Sequence, residues 1–145
     1  MKEVDAPTKL CLKNIFELLG EDFYIPAYQR GYRWSSIQVK ELLDDVWEFS
    51  QAKNKIDSTF YCLQPVVVVN DNARWQVVDG QQRLTTIFLI LHYLEKEHLR
   101  RPLVEAYKKS LYTICYETRP SSGEFLQNIH VKSDTSLIDY FYLSK

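Results

Sequence analysis

The chain has 145 residues, of which 46% are apolar and 26% charged, and its formal net charge is −1. This length suits one domain, because a chain of this size buries roughly 70% of the surface that it exposes when unfolded. The composition argues against a disordered or collagen-like protein, and the near-neutral charge argues against a stand-alone nucleic-acid binder. The polar first nine residues carry no signal peptide, no apolar run reaches the ~18 residues of a membrane span, and the three cysteines form no CxxC pair. We therefore expect a cytoplasmic location with reduced thiols.

The first elements are short. Alternating polar and apolar residues predict a strand at 8–12, and Asn14 then caps a short helix. A second strand at 22–26 leads into a loop rich in arginine and aromatic residues. After this loop, Ser35 or Ser36 begins a helix with one apolar face.

A hairpin and a long helix follow. Four consecutive valines in the segment 60–70 predict a strand that is buried on both faces. A turn at 71–73 joins it to a return strand at 75–79, which predicts a hairpin at the centre of the domain. From Gln82 to about Leu99 the apolar spacing predicts a long, mostly buried helix.

The last elements are a helix at 103–109, a strand at 111–119 and a short helix capped by Ser121 or Ser122. The order of elements predicts an α/β (α+β) fold, a small mixed sheet flanked by helices. One domain is expected over 1–145, with its core at about 14–130. The aromatic tail has no clear closing element, so we expect the N-terminal fragment of a longer protein.

The segment 79–86, DGQQRLTT, is the strongest candidate for chemistry, because it lies where a strand turns into a helix. The first turn of such a helix offers unpaired N–H groups to a phosphate, and Gly80 permits a close approach of the backbone. Arg83 adds a planar donor fork, and Asp79 is suited to Mg²⁺ or to orienting a water. The alternative is that Asp79 merely caps the helix. The candidate residues are Asp79, Gly80, Gln81, Gln82, Arg83, Thr85 and Thr86.

A second group lies in the segment 25–34, IPAYQRGYRW, where Arg30 and Arg33 alternate with aromatic residues. Arginine among aromatic rings suits phosphate and base recognition, although the rings could equally fill the core. Arg119 is a further candidate, with a helix cap as its alternative. The chain has no P-loop, GxGxxG or HExxH motif, so phosphate chemistry needs another kind of site.

Several segments in a fixed order resemble one bacterial family, the uncharacterised domains at the N-terminus of GmrSD-type, modification-dependent (type IV) restriction endonucleases. These segments are IPAYQRGYRW, LLDDV, VVVV, VVDGQQRLTT and YETRPSSGEFLQNI. The resemblance runs from about Asn14 to Ile129. The family is similar to the ParB/sulfiredoxin superfamily, which binds nucleotide phosphates where the DGQQR segment lies. The resemblance therefore implies a ParB-like core that binds nucleoside triphosphates and in some members hydrolyses them.

Carried over to this chain, the resemblance implies a nucleotide site at Asp79, Gly80, Gln81, Gln82 and Arg83. Our leading hypothesis for its chemistry is that Asp79, with Mg²⁺, assists attack by a water that Gln81 or Gln82 orients. The implied phosphate-binding residues are Gly80, Arg83, Tyr28, Gln29 and Arg30, with Thr85 and Thr86 behind them. In the family, DNA cleavage is usually assigned to a C-terminal HNH-type nuclease region. This chain has no candidate for that region, because His92, His98 and His130 lack the context of metal ligands.

Three functions remain open. The leading one is a regulatory domain of an anti-phage restriction protein that binds a nucleoside triphosphate with Mg²⁺, with or without hydrolysing it. The second is a DNA-binding module that grips the backbone or a flipped, modified base without hydrolysis. The third is an assembly domain with an incomplete pocket, which the aromatic residues at 140–142 suggest. The expected partners are a nucleotide, DNA through the full-length protein, and the missing nuclease region.

Overall fold

The computed structural model describes residues 10–98, 105 and 107–129. Four strands and three helices form the described part of the fold. They are β1 (Asp22–Ile25), α1 (Ser36–Gln51), β2 (Val67–Asp71), β3 (Arg74–Asp79), α2 (Gln81–Tyr93), β4 (Thr113–Tyr116) and α3 (Ser121–Gln127). A 3-10 turn at Ile15–Leu18 precedes β1, and a π-helical turn at Leu94–His98 continues α2. The predicted mixed α/β class is confirmed.

The four strands form one mixed sheet in the order β2-β3-β1-β4. Strand β1 runs parallel to both β3 and β4, whereas β2 is antiparallel to β3. Phe23 of β1 lies opposite Trp75 on one side and Ile114 on the other. The carboxyl ends of three parallel strands therefore meet at one edge of the sheet, where open α/β sheets bind their ligands.

Helix α2 packs its apolar stripe against this sheet. Leu84, Phe88 and Val77 are at most 2% exposed, and the ring of Phe88 meets that of Tyr112 edge-on at 5.7 Å. The hydroxyl of Tyr112 donates a hydrogen bond to the carbonyl of Leu84 at 2.6 Å. These contacts fix the start of α2 at the carboxyl edge of the sheet.

Two of the predicted helix starts are confirmed. The Asn14 side chain accepts from the Glu17 N–H at 3.1 Å, and the Glu17 carboxylate accepts from the Asn14 N–H at 2.7 Å. Ser35 caps α1 in the same reciprocal manner. The predicted strand at 8–12 is wrong where it can be examined, since residues 10–12 have no regular structure.

The predicted hairpin is confirmed, but its first strand is not buried on both faces. Val67 is 43% exposed and Val69 is 54% exposed. The reason is the strand order, because β2 lies at the edge of the sheet and pairs with β3 alone. The run of valines therefore reflects strand propensity rather than burial.

The later elements are shorter than predicted. Strand β4 covers four residues of the predicted 111–119, and α2 gives way to the π-helical turn before Leu99. The predicted serine cap of α3 is wrong, because Pro120 is the N-cap residue and no side chain caps this helix. Residues 103, 104 and 106 of the predicted helix at 103–109, and the aromatic tail, lie outside the described residues. No helix among the described residues is long and apolar enough to cross a membrane.

Candidate functional site

A cavity of about 520 Å³ opens at the carboxyl edge of the sheet, between the loop that follows β1 and the start of α2. Both segments that the sequence singles out contribute to it. The lining residues are Tyr28, Gln29, Arg30, Trp34, Asp79, Gly80, Gln81, Gln82 and Arg83. We call this the first cavity.

Gly80 is the N-cap residue of α2 and has a backbone conformation that other residues rarely adopt. Its φ is +87°, in the left-handed region. A Cβ atom at this position would lie 3.1 Å from the Pro65 carbonyl oxygen and from the Val66 Cα. Glycine therefore lets the turn between β3 and α2 pack closely against residues 65 and 66.

No side chain caps the N-terminus of α2. The Asp79 carboxylate accepts instead from the Gly80 N–H at 2.8 Å, so the interpretation of Asp79 as the helix cap is wrong. The first N–H groups of a helix have no partner within it. Those of Gln81, Gln82 and Arg83 therefore keep their capacity to bind an anion at the wall of the first cavity.

Gln82 ties the loop after β1 to α2. Its side-chain oxygen accepts from the Arg33 N–H at 2.7 Å and from the Trp34 N–H at 3.3 Å. Its side-chain nitrogen donates to the Gly31 carbonyl at 2.9 Å. This one amide thus binds three backbone groups of the loop, at residues 31, 33 and 34.

Gln81 makes a second hydrogen-bonded link between α2 and the loop after β1, from a buried position. It is 5% exposed, and its side-chain nitrogen donates to the Arg30 carbonyl. Its oxygen accepts from the Tyr116 hydroxyl at 2.9 Å, and that hydroxyl accepts in turn from Thr85 at 2.7 Å. Burial raises the pKa of Tyr116 to about 12, so the phenol is protonated and donates at neutral pH. A chain of hydrogen bonds therefore links the Tyr116 hydroxyl, at the end of β4, through Gln81 to the Arg30 carbonyl, and we call this chain the relay.

The two threonines lie behind the cavity, in the core. Thr85 and Thr86 are each 1% exposed, and neither lines the cavity. The Thr86 hydroxyl donates to the Gln82 carbonyl at 2.8 Å and accepts from Tyr32 at 2.9 Å. Their observed contacts support the loop and the relay.

The chain matches the family described as "GmrSD restriction endonuclease, N-terminal domain" over residues 12–145. It belongs to this family. The resemblance noted in the sequence is thereby confirmed, and the domain is tied to restriction. Neither the curated proteins nor the solved structures gave a match, so a ParB-like core stays a prediction for this GmrSD N-terminal domain.

Charge at the first cavity of this GmrSD N-terminal domain is mixed. Arg30 is exposed, and the Arg83 guanidinium lies over the Trp34 ring, 5.4 Å from its centroid. Asp79 is the one acidic residue among the lining residues. Trp34 is a site residue that the sequence analysis missed, although its place among the arginines was a signal.

Two further arginines were candidates, and the structure does not bring them to the cavity wall. Arg33 is exposed beside the loop, and its backbone N–H is bound by Gln82. Arg119 lies in the tight turn after β4, where its N–H donates to the Tyr116 carbonyl at 3.0 Å. Neither lines the first cavity.

The residues that line the first cavity fit Mg²⁺ only if phosphates supply most of its ligands. The described residues contain no group of three or more His, Cys, Asp or Glu side chains that could hold a metal ion. Proteins commonly bind Mg²⁺ through one or two carboxylates together with substrate phosphates. Asp79 supplies one such carboxylate at the cavity. His92 packs on Phe88 in the core, and His130 lies outside the described residues.

Proposed function

We propose that this domain binds a nucleoside triphosphate in the first cavity and acts as a regulatory part of a restriction endonuclease. One observation carries the proposal. The uncapped N-terminus of α2 lies in the same cavity as Arg30 and Arg83.

Each of these groups favours phosphate. Unpaired N–H groups and the positive end of the helix dipole attract anions. Arginine presents a planar fork of donors that matches phosphate oxygens. Gly80 lets the turn before α2 pack closely against residues 65 and 66, which a Cβ at this position would contact at 3.1 Å.

We propose that Mg²⁺ arrives with the nucleotide and is shared between its phosphates and Asp79. Bound there, the ion would neutralise phosphate charge. The amides of Gln81 and Gln82 are engaged by the loop, so we assign them to holding the loop rather than to orienting water. Asp79 is then the residue best placed to orient a water if the domain hydrolyses its ligand. Asp79→Asn should retain binding and lose hydrolysis.

Calorimetric titration with non-hydrolysable analogues of ATP, GTP, CTP and UTP, with and without Mg²⁺, tests the binding proposal. We expect Arg30→Ala and Arg83→Ala to weaken the affinity at least about tenfold, since each removes charge-assisted hydrogen bonds. Arg74→Ala is the matched control, because Arg74 packs on Tyr24 away from the cavity. Unchanged affinity in both cavity variants would contradict the proposal.

DNA binding is a second candidate that one observation favours. Tyr28, at the cavity wall beside Arg30, is 68% exposed, and an exposed ring next to an arginine suits stacking on an unpaired base. Backbone contacts would make DNA binding fall steeply with salt. A salt titration with single-stranded DNA therefore separates the two candidates. We also propose that DNA cleavage belongs to a nuclease region of the full-length protein, acting in the cytoplasm.

A further inference from the structure

A second, smaller cavity of about 170 Å³ adjoins the first, between α1 and the segment before β2. Two of its lining residues, Trp34 and Arg83, also line the first cavity. The others are Gln38, Glu41, Leu42, Asp45, Tyr61, Cys62, Leu63 and Gln64.

The stacked pair of Arg83 and Trp34 separates the two cavities. The guanidinium lies 5.4 Å from the centroid of the indole ring, within the range of a cation–π contact. Since both side chains line both cavities, an elongated ligand that passes along this pair enters both.

The two cavities differ in their balance of charged side chains. Arg30 and the N-terminus of α2 make the first one attractive to phosphate. Glu41 and Asp45 line the second, and ionised carboxylates only accept hydrogen bonds. Arg83 lines both cavities, so the two carboxylates make the difference: a phosphate is less favoured in the second cavity than in the first, whereas a neutral group that offers N–H donors is favoured there.

One of these two carboxylates, that of Asp45, is held in place by a hydrogen bond within the cavity. The Tyr61 hydroxyl donates to Asp45 Oδ2 at 2.9 Å. That hydrogen bond raises the pKa of Tyr61, so the phenol keeps its proton at neutral pH. The Oδ1 atom of Asp45 remains an acceptor for a ligand.

We propose that the second cavity takes the base of the nucleotide whose phosphates lie at the start of α2. An exocyclic amino group offers two N–H donors, whereas uracil and hypoxanthine each offer one ring N–H. Glu41 and Asp45 together therefore favour the bases that carry such a group, namely adenine, guanine or cytosine. The inference rests on the proposed nucleotide binding and deepens it, because it names the part of the ligand that sets specificity.

The experiment compares matched ligands by calorimetry on the full 145-residue chain. CTP is titrated against UTP, and ATP and GTP are each titrated against ITP, because in each pair only one base carries an exocyclic amino group. Inorganic triphosphate is the probe that has no base. We expect triphosphate to bind more weakly than the preferred nucleotide, and at least one amino-bearing nucleotide to bind about tenfold tighter than its partner, as a charge-assisted hydrogen bond predicts.

Variants then locate the preference. In the pair of nucleotides that shows the preference, Glu41→Ala or Asp45→Ala should reduce the ratio of the two affinities toward one. Both variants should leave the affinity for triphosphate the same or higher. Asp44→Ala is the control on the same helix, because Asp44 pairs with Lys40 at the surface and lines neither cavity.

The outcomes separate the two proposals. If neither triphosphate nor any nucleotide binds, the proposed function fails. If nucleotides bind no tighter than triphosphate, or if no pair shows a preference, nucleotide binding survives and the base site is overturned. The same conclusion follows if both cavity variants keep the wild-type ratio, or if Asp44→Ala changes it equally.

Discussion

At the scale of single residues, Gly80 is the position where the backbone demands one amino acid. In Gly80→Ala, the alanine would have to adopt the left-handed conformation, and its Cβ would lie 3.1 Å from atoms of Pro65 and Val66. We expect the free energy of unfolding to fall by about 1–3 kcal/mol, measured by urea denaturation. Gly31→Ala is the control, because no atom lies within 4 Å of its Cβ position and its φ is not positive. Equal losses in both variants would show that the turn does not need glycine.

Tyr116 is the residue on which the relay to Arg30 depends. Tyr116→Phe removes the hydroxyl that serves both Gln81 and Thr85, leaving buried groups unpaired. We expect a loss of about 1–3 kcal/mol in stability. We also expect weaker nucleotide binding, because Gln81, which holds the Arg30 carbonyl, loses its hydrogen bond to Tyr116. Tyr107→Phe is the control, since this exposed ring keeps its stack on Phe16. Wild-type affinity in Tyr116→Phe would rule out positioning through the relay.

The buried phenols also make stability depend on alkaline pH. Burial raises the pKa of Tyr112 and brings that of Tyr116 to about 12, above the ordinary value near 10. Between these values the unfolded chain releases the phenol protons while the folded chain keeps them. The free energy of unfolding should therefore be fully retained below pH 10 and decrease above it, by about 1.4 kcal/mol per pH unit for each phenol. Urea midpoints from pH 8 to 11.5 test this, and Tyr116→Phe should show a shallower decrease than the wild type.

At the scale of elements, the loop after β1 owes its position to α2. We expect Gln82→Ala to release it, since one amide binds Arg33, Trp34 and Gly31. Hydrogen exchange should show at least about tenfold faster exchange at the Arg33 and Trp34 amides, as expected where one hydrogen bond of ~1.4 kcal/mol is lost. Nucleotide affinity should fall as well.

The control for this release is Gln127→Ala, an exposed amide in the last turn of α3. It should leave both the exchange rates and the affinity unchanged. Protection that persists at Arg33 and Trp34 in Gln82→Ala would mean that another contact holds the loop.

The same elements show how far the sequence predicts this site. The Gly80 turn and the helix after it are local signals, and both were found in the sequence. The exposure of Val69 was not predictable, because the place of β2 at the sheet edge depends on long-range pairing. Nor was Tyr116, whose role follows from the parallel pairing of β4 with β1. Signals that span a few residues are readable, whereas partners brought together by topology are not.

At the scale of the whole molecule, the parallel pairing of β3, β1 and β4 assembles the site. Their carboxyl ends face one way, so Asp79, the loop after Ile25 and Tyr116 meet although they are far apart in the chain. The segment at 61–64 adds the wall of the second cavity. No single segment forms either cavity, so both exist only in the folded domain.

Because the site exists only when the domain is folded, a nucleotide that binds there must stabilise the whole fold. At a free concentration one hundred times its dissociation constant, the gain is about 2.7 kcal/mol. We expect the thermal midpoint to rise accordingly, with hydrogen exchange slowed most at residues 28–34 and 79–83, the two segments that contribute the lining of the first cavity. Arg83→Ala at the same concentrations should show a smaller rise, because its affinity is lower. Slowed exchange centred on the exposed edge of β2 would instead indicate a ligand, or a second chain, paired with that strand.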